Sequence, residues 1–454
     1  MTMTRTSLLK VFFAAVVIRW VYDVAIFAAF GAEGLLGVDS HDYIHYAAVL
    51  AGHLREGSLH GWQWLGANPV MMPLFYWLVT AVAYLAGDYT ALAYVLLQGV
   101  IDAGTCLLVF SLASIFKPAF GVPAAVAAVI NPTQIVLAGL VYTDTPFVFL
   151  VTLALLAALR WMERPSIGWT VTLGLSLGAA ALVRAMIVPF VGALLVFLAI
   201  VTLLRRDAWR APLVQVVAIG VLFAVCIAPV LLRNANVYGS WNMTSQSGMH
   251  LSRWVVPLVR EAKDGTPWNQ TYMEMEKRRD ERYGPDSGNQ FIESDRYVTL
   301  AKEELRNLGL AAIAKAWLFG AALNIGSPAI IISPPVAQLP RQGFYSTTGA
   351  TVVEKVWNFV FRADNTLYAM ALLLGITGVA AIRLLQLGGA IRLMLDASNI
   401  AALLLLAGWI GFILLVNGPV AAPKYRLPLE PVFNVMTGAG WVWLTRRRAR
   451  ADAA

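Results

Sequence analysis

The side chains best suited to chemistry lie within one decapeptide, Val38-Asp39-Ser40-His41-Asp42-Tyr43-Ile44-His45-Tyr46-Ala47. Two carboxylates and two imidazoles fall within seven positions there, just beyond the first apolar run, and the chain otherwise reads as keeping its acids out of hydrophobic surroundings. If a helix starts at Ser40, then Tyr43, Tyr46, Ala47 and Leu50 share one face at i, i+3, i+4, i+7 spacing. His41, Asp42 and His45 fall on the other face. Such a helix suits a membrane surface, apolar side down. Asp39 belongs at its N-terminal edge, where free backbone N–H groups favour a carboxylate; the plainer alternative is that Asp39 or Ser40 only caps a surface helix. His41 and His45, at i and i+4, make with Asp39 or Asp42 an N/O set suited to a divalent transition metal. A divalent metal ion is therefore the one cofactor the sequence suggests. Interfacial histidines facing water and headgroups are the commoner outcome, and four of the five histidines (His41, His45, His53, His60) lie in this loop.

The elements that must position these residues are membrane helices. The 454-residue chain is 59% hydrophobic and 13% charged, against about 25% charged residues in soluble domains. It reads as an all-α polytopic membrane protein. Apolar runs at 9–30, 90–116, 119–139, 145–162, 167–183, 187–204, 212–232, 364–384, 397–417 and 428–445 each approach the roughly twenty residues a bilayer requires. The first reads as a retained span rather than a cleaved leader. Much of the net charge of +8 lies in short runs between spans: Arg5 and Lys10, Lys117, Arg160 with Arg164, Arg205-Arg206 with Arg210, Arg383 with Arg392, and Arg446-Arg447-Arg448. Those runs mark the cytoplasmic side and do not imply a nucleic-acid partner. Cys106 and Cys226 both lie in apolar segments, so neither a disulfide framework nor a zinc site follows from them.

This parity holds only if residues 69–86 do not cross. Pro69, Pro73 and the nearby aromatic residues suit a re-entrant or interfacial helix within the first external loop, 31–89. The expected organisation is an N-terminal transmembrane module (1–232), an external and partly helical region (233–363), and C-terminal transmembrane helices (364–454). The run Lys277-Arg278-Arg279-Asp280-Glu281-Arg282 reads as a solvated helix face, and the apolar stretch from Ala311 to Val336 as one that dips into the bilayer. Four polar clusters then share one side: Asp39 to His45, Tyr142-Thr143-Asp144, Arg233-Asn234, and Lys424-Tyr425-Arg426. Holding acids and bases together, they read as the walls of one cavity.

The pattern Asp39-Ser40-x-x-Tyr43-x-x-Tyr46-Ala47 resembles the acidic first-loop motif of the GT-C glycosyltransferases, membrane enzymes that take sugars from polyprenyl-phosphate carriers. Further stretches follow in the order found in the bacterial protein-mannosyltransferase-like and aminoarabinose-transferase-like members. They are Asn68-Pro69-x-x-x-Pro73-Leu74, Tyr142-Thr143-Asp144-Thr145-Pro146-Phe147, Leu182-Val183-Arg184, Leu232-Arg233-Asn234-x-x-x-Tyr238-Gly239-Ser240, and Lys424-Tyr425-Arg426-Leu427-Pro428-x-x-Pro431. The resemblance covers about residues 8–250 and 400–445. Asp144 stands where Glu is commoner, Ala185 replaces a Pro after Arg184, and the soluble C-terminal domain of several relatives is not found after the last span.

The resemblance implies a GT-C-like helix bundle with juxtamembrane helices in the first external loop. It also implies a polyprenyl-phosphate-linked sugar donor, a lipid, glycan or protein acceptor, and contact with membrane lipids. The place implied is a bacterial inner membrane with the site facing the periplasm. Such a transfer needs a base for the acceptor proton, and Asp39 is the expected one. Asp144 is expected to assist by orienting the acceptor or sharing a metal. Cations must stabilise the departing phosphate: Arg426 with Lys424, Arg233 and Arg184 are the candidates, Arg426 foremost because its planar fork fits phosphate oxygens, and the Tyr425 hydroxyl is expected to join them in holding the phosphate. Tyr43, Asp42 and Asn234 are expected to contact substrate, and a single displacement implies inversion. A transporter or flippase of a lipid-linked glycan is the alternative of another class, but it commonly shows two related halves, and none is found here. A glycan polymerase or ligase using diphosphate-linked donors is a third reading.

Overall fold

In a computed structural model the described residues are 5–66, 68–204, 209–340, 346–362, 365–395 and 400–451, without the side chains of Arg5 and residues 446–451. Arg205, Arg206, the boundary at 363 and 364, and the side chains of Arg5 and Arg446 to Arg448 therefore lie outside them. Among the described residues there is no strand. The helices are α1 (Arg5–Phe30), α2 (Ser40–Glu56), α3 (Pro73–Ala86), α4 (Thr90–Phe116), α5 (Pro118–Val129), α6 (Pro132–Ala138), α7 (Asp144–Glu163), α8 (Ile167–Val183), α9 (Val188–Leu204) and α10 (Arg210–Tyr238). There follow α11 (Gln246–His250), α12 (Val256–Asp264), α13 (Trp268–Tyr283), α14 (Gln290–Leu308), α15 (Leu310–Gly326), α16 (Pro334–Ala337) and α17 (Val352–Phe361). The chain closes with α18 (Thr366–Met394), α19 (Ile400–Asn417), α20 (Pro423–Arg426) and α21 (Glu430–Ala451).

Seven helices among the described residues are long and apolar enough to cross a membrane, or up to nine if each of two bent pairs is one span. The ten runs expected from sequence are reduced for physical reasons. The run 119–139 is broken: α5 and α6 meet at 48°, because Asn131 caps α6 by accepting from the Thr133 and Gln134 amides and Pro132 has no N–H to continue a helix. The run 167–183 forms α8 at only 17 residues. The last run forms α21, whose first half is buried against α4, α5 and α18. An element enclosed by protein on all sides needs no uniformly apolar surface. Gly389 and Gly440 let α18 and α21 approach closely, since a methyl on Gly389 would overlap the Met436 carbonyl.

The expectation that acids avoid the hydrophobic interior is overturned. Asp23, Asp102 and Glu430 are all buried. Asp102 accepts from Arg19 Nε at 2.8 Å and Gln134 Nε2 at 3.0 Å. Asn434 donates to Gln134 Oε1 at 2.8 Å, and Asn131 donates to Asn434 at 3.3 Å and to Glu430 at 2.9 Å. Glu430 in turn accepts from Arg426 Nε at 2.6 Å and Arg383 Nη2 at 3.3 Å. Buried charge is tolerated there because each group answers the next.

In the first loop, α2 begins at Ser40 as the spacing predicts. Ala47 and Leu50 are buried, while His41, Asp42 and His45 are exposed. α3 has 14 residues and together with α4 makes one of the seven candidate spans, Pro73–Phe116; it packs on α2, where the Tyr76 hydroxyl donates to the Tyr46 carbonyl. It then passes through one turn at Gly87–Tyr89 into α4. Between α10 and α18, the charged face of α13 is only partly solvated. Arg278 and Arg282 pair with Glu304 and Glu303 of α14 at 2.7 and 2.8 Å, and buried Arg279 donates to Glu293 through Nε at 3.0 Å. The apolar stretch after Ala311 forms α15, which meets α14 at 104° and packs on α12, α19 and α20.

Candidate active site

The approach to α2 is built by a backbone crossing. Val141 N–H donates to the Leu35 carbonyl at 3.0 Å, and Ser40 Oγ donates to the Val141 carbonyl at 2.8 Å while accepting from Gly37 N–H at 2.8 Å. Residue 37 must be small, because a methyl there would overlap the Tyr142 hydroxyl. Ser40 is thus the buried anchor of the loop. Asp39 stands at the N-terminal edge of α2 but makes no side-chain capping bond. Its carboxylate turns instead to Lys424 Nζ, 3.3 Å away, with half of the Asp39 side chain accessible.

Lys424 is held among aromatic rings, its Nζ 5.1 Å from the centre of Tyr142 and 5.5 Å from that of Tyr425. Burial works against its charge, but Tyr425, Asp39, Asp144 and Tyr142 outweigh burial and hold the ammonium above its ordinary pKa. A second ion pair lies beside the first: Arg184, just after α8, donates to Asp144 at the first residue of α7. The helix terminus favours that carboxylate as well, and the Arg184 guanidinium lies 5.8 Å from the Phe147 ring centre. Tyr43 joins the two pairs. Its hydroxyl is pushed well up by burial, with Asp39 and Asp144 adding to the shift and Arg184 and Lys424 opposing it. Its ring stands edge-on to Phe75 at 4.8 Å.

The structure therefore brings together Asp39, Tyr43, Asp144, Arg184, Lys424 and Tyr425. It does not bring in the others. Arg426 is 1% exposed and its fork is already occupied: Nε on Glu430, Nη2 on Thr133 Oγ1 at 2.7 Å, and Nη1 on the carbonyls of Asn324, Ile325 and Ser327. Arg233 is buried too: it donates to Oδ1 of the adjacent Asn234 at 2.7 Å and ties α10 to the first loop through the Gly66 carbonyl at 3.0 Å. Asn234 closes the following turn through the carbonyls of Asn242 and Met243. Neither faces the two ion pairs. Asp42 is exposed. His41 lies 3.8 Å from exposed Glu33, His45 packs against Tyr46, and among the described residues no three His, Cys, Asp or Glu side chains converge. That donor set does not fit a metal, and no step is assigned to one.

Two features escaped the sequence reading. Tyr142 had been noted only as part of a polar cluster, yet it contacts both Gly37 and Lys424. Glu430, the partner of Arg426, carried a usable signal, since i and i+4 residues of a helix meet.

A bundle of long apolar helices fits an integral membrane protein, and two carboxylate–cation pairs, one with a half-accessible carboxylate, lie at its helix ends. Residues 68–232 match the family described as dolichyl-phosphate-mannose-protein mannosyltransferase, and this supports the GT-C resemblance, that of a membrane glycosyltransferase using polyprenyl-phosphate sugars. Comparison with curated proteins gives no match. Among solved structures the chain is similar to ArnT from Cupriavidus metallidurans bound to undecaprenyl phosphate, with 17% identity over 99% of this chain and 80% of that one and a TM-score of 0.39. The apo state of the same protein gives 16% identity over 92% and 76%, with a TM-score of 0.35.

Proposed function

We propose that this chain moves a glycosyl group from a polyprenyl-phosphate carrier to a hydroxyl of a lipid, glycan or protein, on the periplasmic face of a bacterial inner membrane. The observation that carries the reading is the pairing of Asp39 with Lys424 at 3.3 Å beside the Asp144–Arg184 pair. One accessible carboxylate and two cations meet there. As the acceptor oxygen bonds to the anomeric carbon, its proton passes to Asp39. The bond from that carbon to the phosphate oxygen breaks, and the phosphate leaves with the electron pair. Lys424 and Arg184 stabilise the charge that develops on it. Asp144 orients Arg184, and Tyr43, Tyr142 and Tyr425 line the space between. The clamp falls to Lys424 and Arg184 rather than Arg426, whose donors are engaged. A single displacement of this kind inverts the anomeric centre.

The test uses membranes containing the full chain and a donor labelled in its lipid. Transfer releases free polyprenyl phosphate, whereas a flippase moves the intact donor. Asp39→Asn removes the base without changing shape, so turnover should vanish while donor binding persists. An Asn variant keeping a substantial part of wild-type turnover would show that the base lies elsewhere.

A further inference from the structure

Asp23 lies inside α1 with 0% exposure, and neither of its carboxyl oxygens has a hydrogen-bond partner. An ionised carboxylate so placed is strongly disfavoured, because it loses water and gains no donor. The Tyr22 and Tyr94 hydroxyls and Gln98 Oε1 are buried without partners too. Asp23, Tyr22 and Gln98 gather at one piece of backbone. Gln98 Nε2 donates to the carbonyls of Ala138 and Leu140 at 3.2 and 2.7 Å. Asp23 Oδ1 lies 2.6 Å from the position that a methyl on Gly139, between those two residues, would take.

The charge count points the same way. Arg19, one turn before Asp23, is already matched by Asp102. Of the elements packed on α1, α4 contributes Tyr94, Asp102 and Cys106 as titratable groups, and α5, α6 and α16 contribute none. Glu33, in the turn after α1, is exposed and faces His41. A second ionised acid would leave this interior negatively charged. A neutral acid needs only one acceptor, and Gln98 Oε1 is one that nothing else uses.

We infer that Asp23 is held as the neutral carboxylic acid and is a positioning residue for the reaction, its O–H directed to Gln98 so that the 138–140 backbone keeps its place. That backbone leads directly into the site. Val141 makes the crossing to Leu35 and Ser40, Tyr142 lies over Lys424, and Asp144 holds Arg184. Loss of the proton removes the donor to Gln98 and sets a negative charge against the Ala138 and Leu140 carbonyls. The crossing then shifts, and both ion pairs with it.

Infrared spectroscopy of the reconstituted full chain tests this without reference to any reaction. At neutral pH the protein should show a carboxylic-acid C=O stretch that Asp23→Asn abolishes. The activity arm rests on the glycosyl-transfer reading. Wild type should lose turnover reversibly as pH rises, because the bound proton is then removed, whereas the Asn variant should keep neutral-pH turnover and lack that alkaline loss. If Asn prevents folding, Asp23→Ser provides the same spectroscopic comparison. An unchanged C=O region, or an identical alkaline loss in wild type and Asn variant, overturns the inference. A band that disappears with Asp23→Asn in a protein that releases no polyprenyl phosphate counts against the transferase reading and leaves the neutral acid standing.

Discussion

Arg426 offers the sharpest separation between a group that holds the fold and one that holds a phosphate. Its guanidinium bonds Glu430, Thr133 and the carbonyls of Asn324, Ile325 and Ser327. Arg426→Met removes all of these and leaves Glu430 with Asn131 at 2.9 Å and Arg383 at 3.3 Å. Breaking a buried ion pair costs about 3–5 kcal/mol, and the retained Arg383 counter-charge places this case near the lower end. Arg426→Lys keeps a cation for Glu430 but loses the fork. With two bonds forfeited at about 1 kcal/mol net each, the cost is ~2 kcal/mol. Thermal unfolding of purified protein followed by tryptophan fluorescence should therefore rank wild type above Lys and Lys above Met. Turnover per folded molecule, measured below both transitions, should stay near wild type, as should the donor KM. Unchanged unfolding with a turnover loss of about ten- to a hundredfold, or ~1.4–2.7 kcal/mol of barrier, would refute the structural assignment and make Arg426 the clamp.

Lys424→Met should raise the donor KM by about tenfold or more, the loss of ~1.4 kcal/mol of interaction, without lowering thermal stability comparably, because Lys424 joins only the Asp39 pair and two ring contacts. Steady-state kinetics with labelled donor reads this directly. Gly37→Ala should fold yet lose most turnover, since its methyl displaces Tyr142 from beside Lys424; trimming that ring with Tyr142→Ala in the same chain should restore part of the loop geometry but not the aromatic contact. In the charged helices α13 and α14, burial alone would raise the Glu293 carboxyl, but Arg279 and Ser287 outweigh it and bring it from 4.5 down to about 2. Its contribution to stability is present above pH 4.5 and lost as pH falls through about 2, and circular dichroism should show a shallower acid dependence for Glu293→Gln.

The site was legible to the extent that local pattern determines it. Asp39 and Tyr43 could be placed because a helical start at Ser40 follows from apolar spacing. The pairing of Asp144 with Arg184 could not, since a separation of forty positions carries no periodic signal linking them. The burial of Arg426, against the more open position of Lys424, has a reason the sequence contained. Residues two apart on a helical turn point to opposite sides, so only one could face the site, and Glu430 four positions on marked Arg426 as the inward one. The expected spans differ from the structure where burial replaces lipid: the first half of α21 is buried in protein, and a polar side chain there is answered by another helix. Arg19, Asp23 and Asp102 within apolar runs were the available warning of such partners.

The polar chain from Arg19 to Glu430 also bears on how the protein is made. Its members lie in α1, α4, α6 and α21 and at Asn131, so the helix that completes it leaves the ribosome after all the others that contribute to it. Until α21 inserts, Gln134 and Asn131 lack their Asn434 and Glu430 partners within a membrane that offers no water in exchange. The earlier helices therefore hold unanswered polar groups until α21 arrives, and Glu430 and Asn434 close a network that those helices cannot close by themselves.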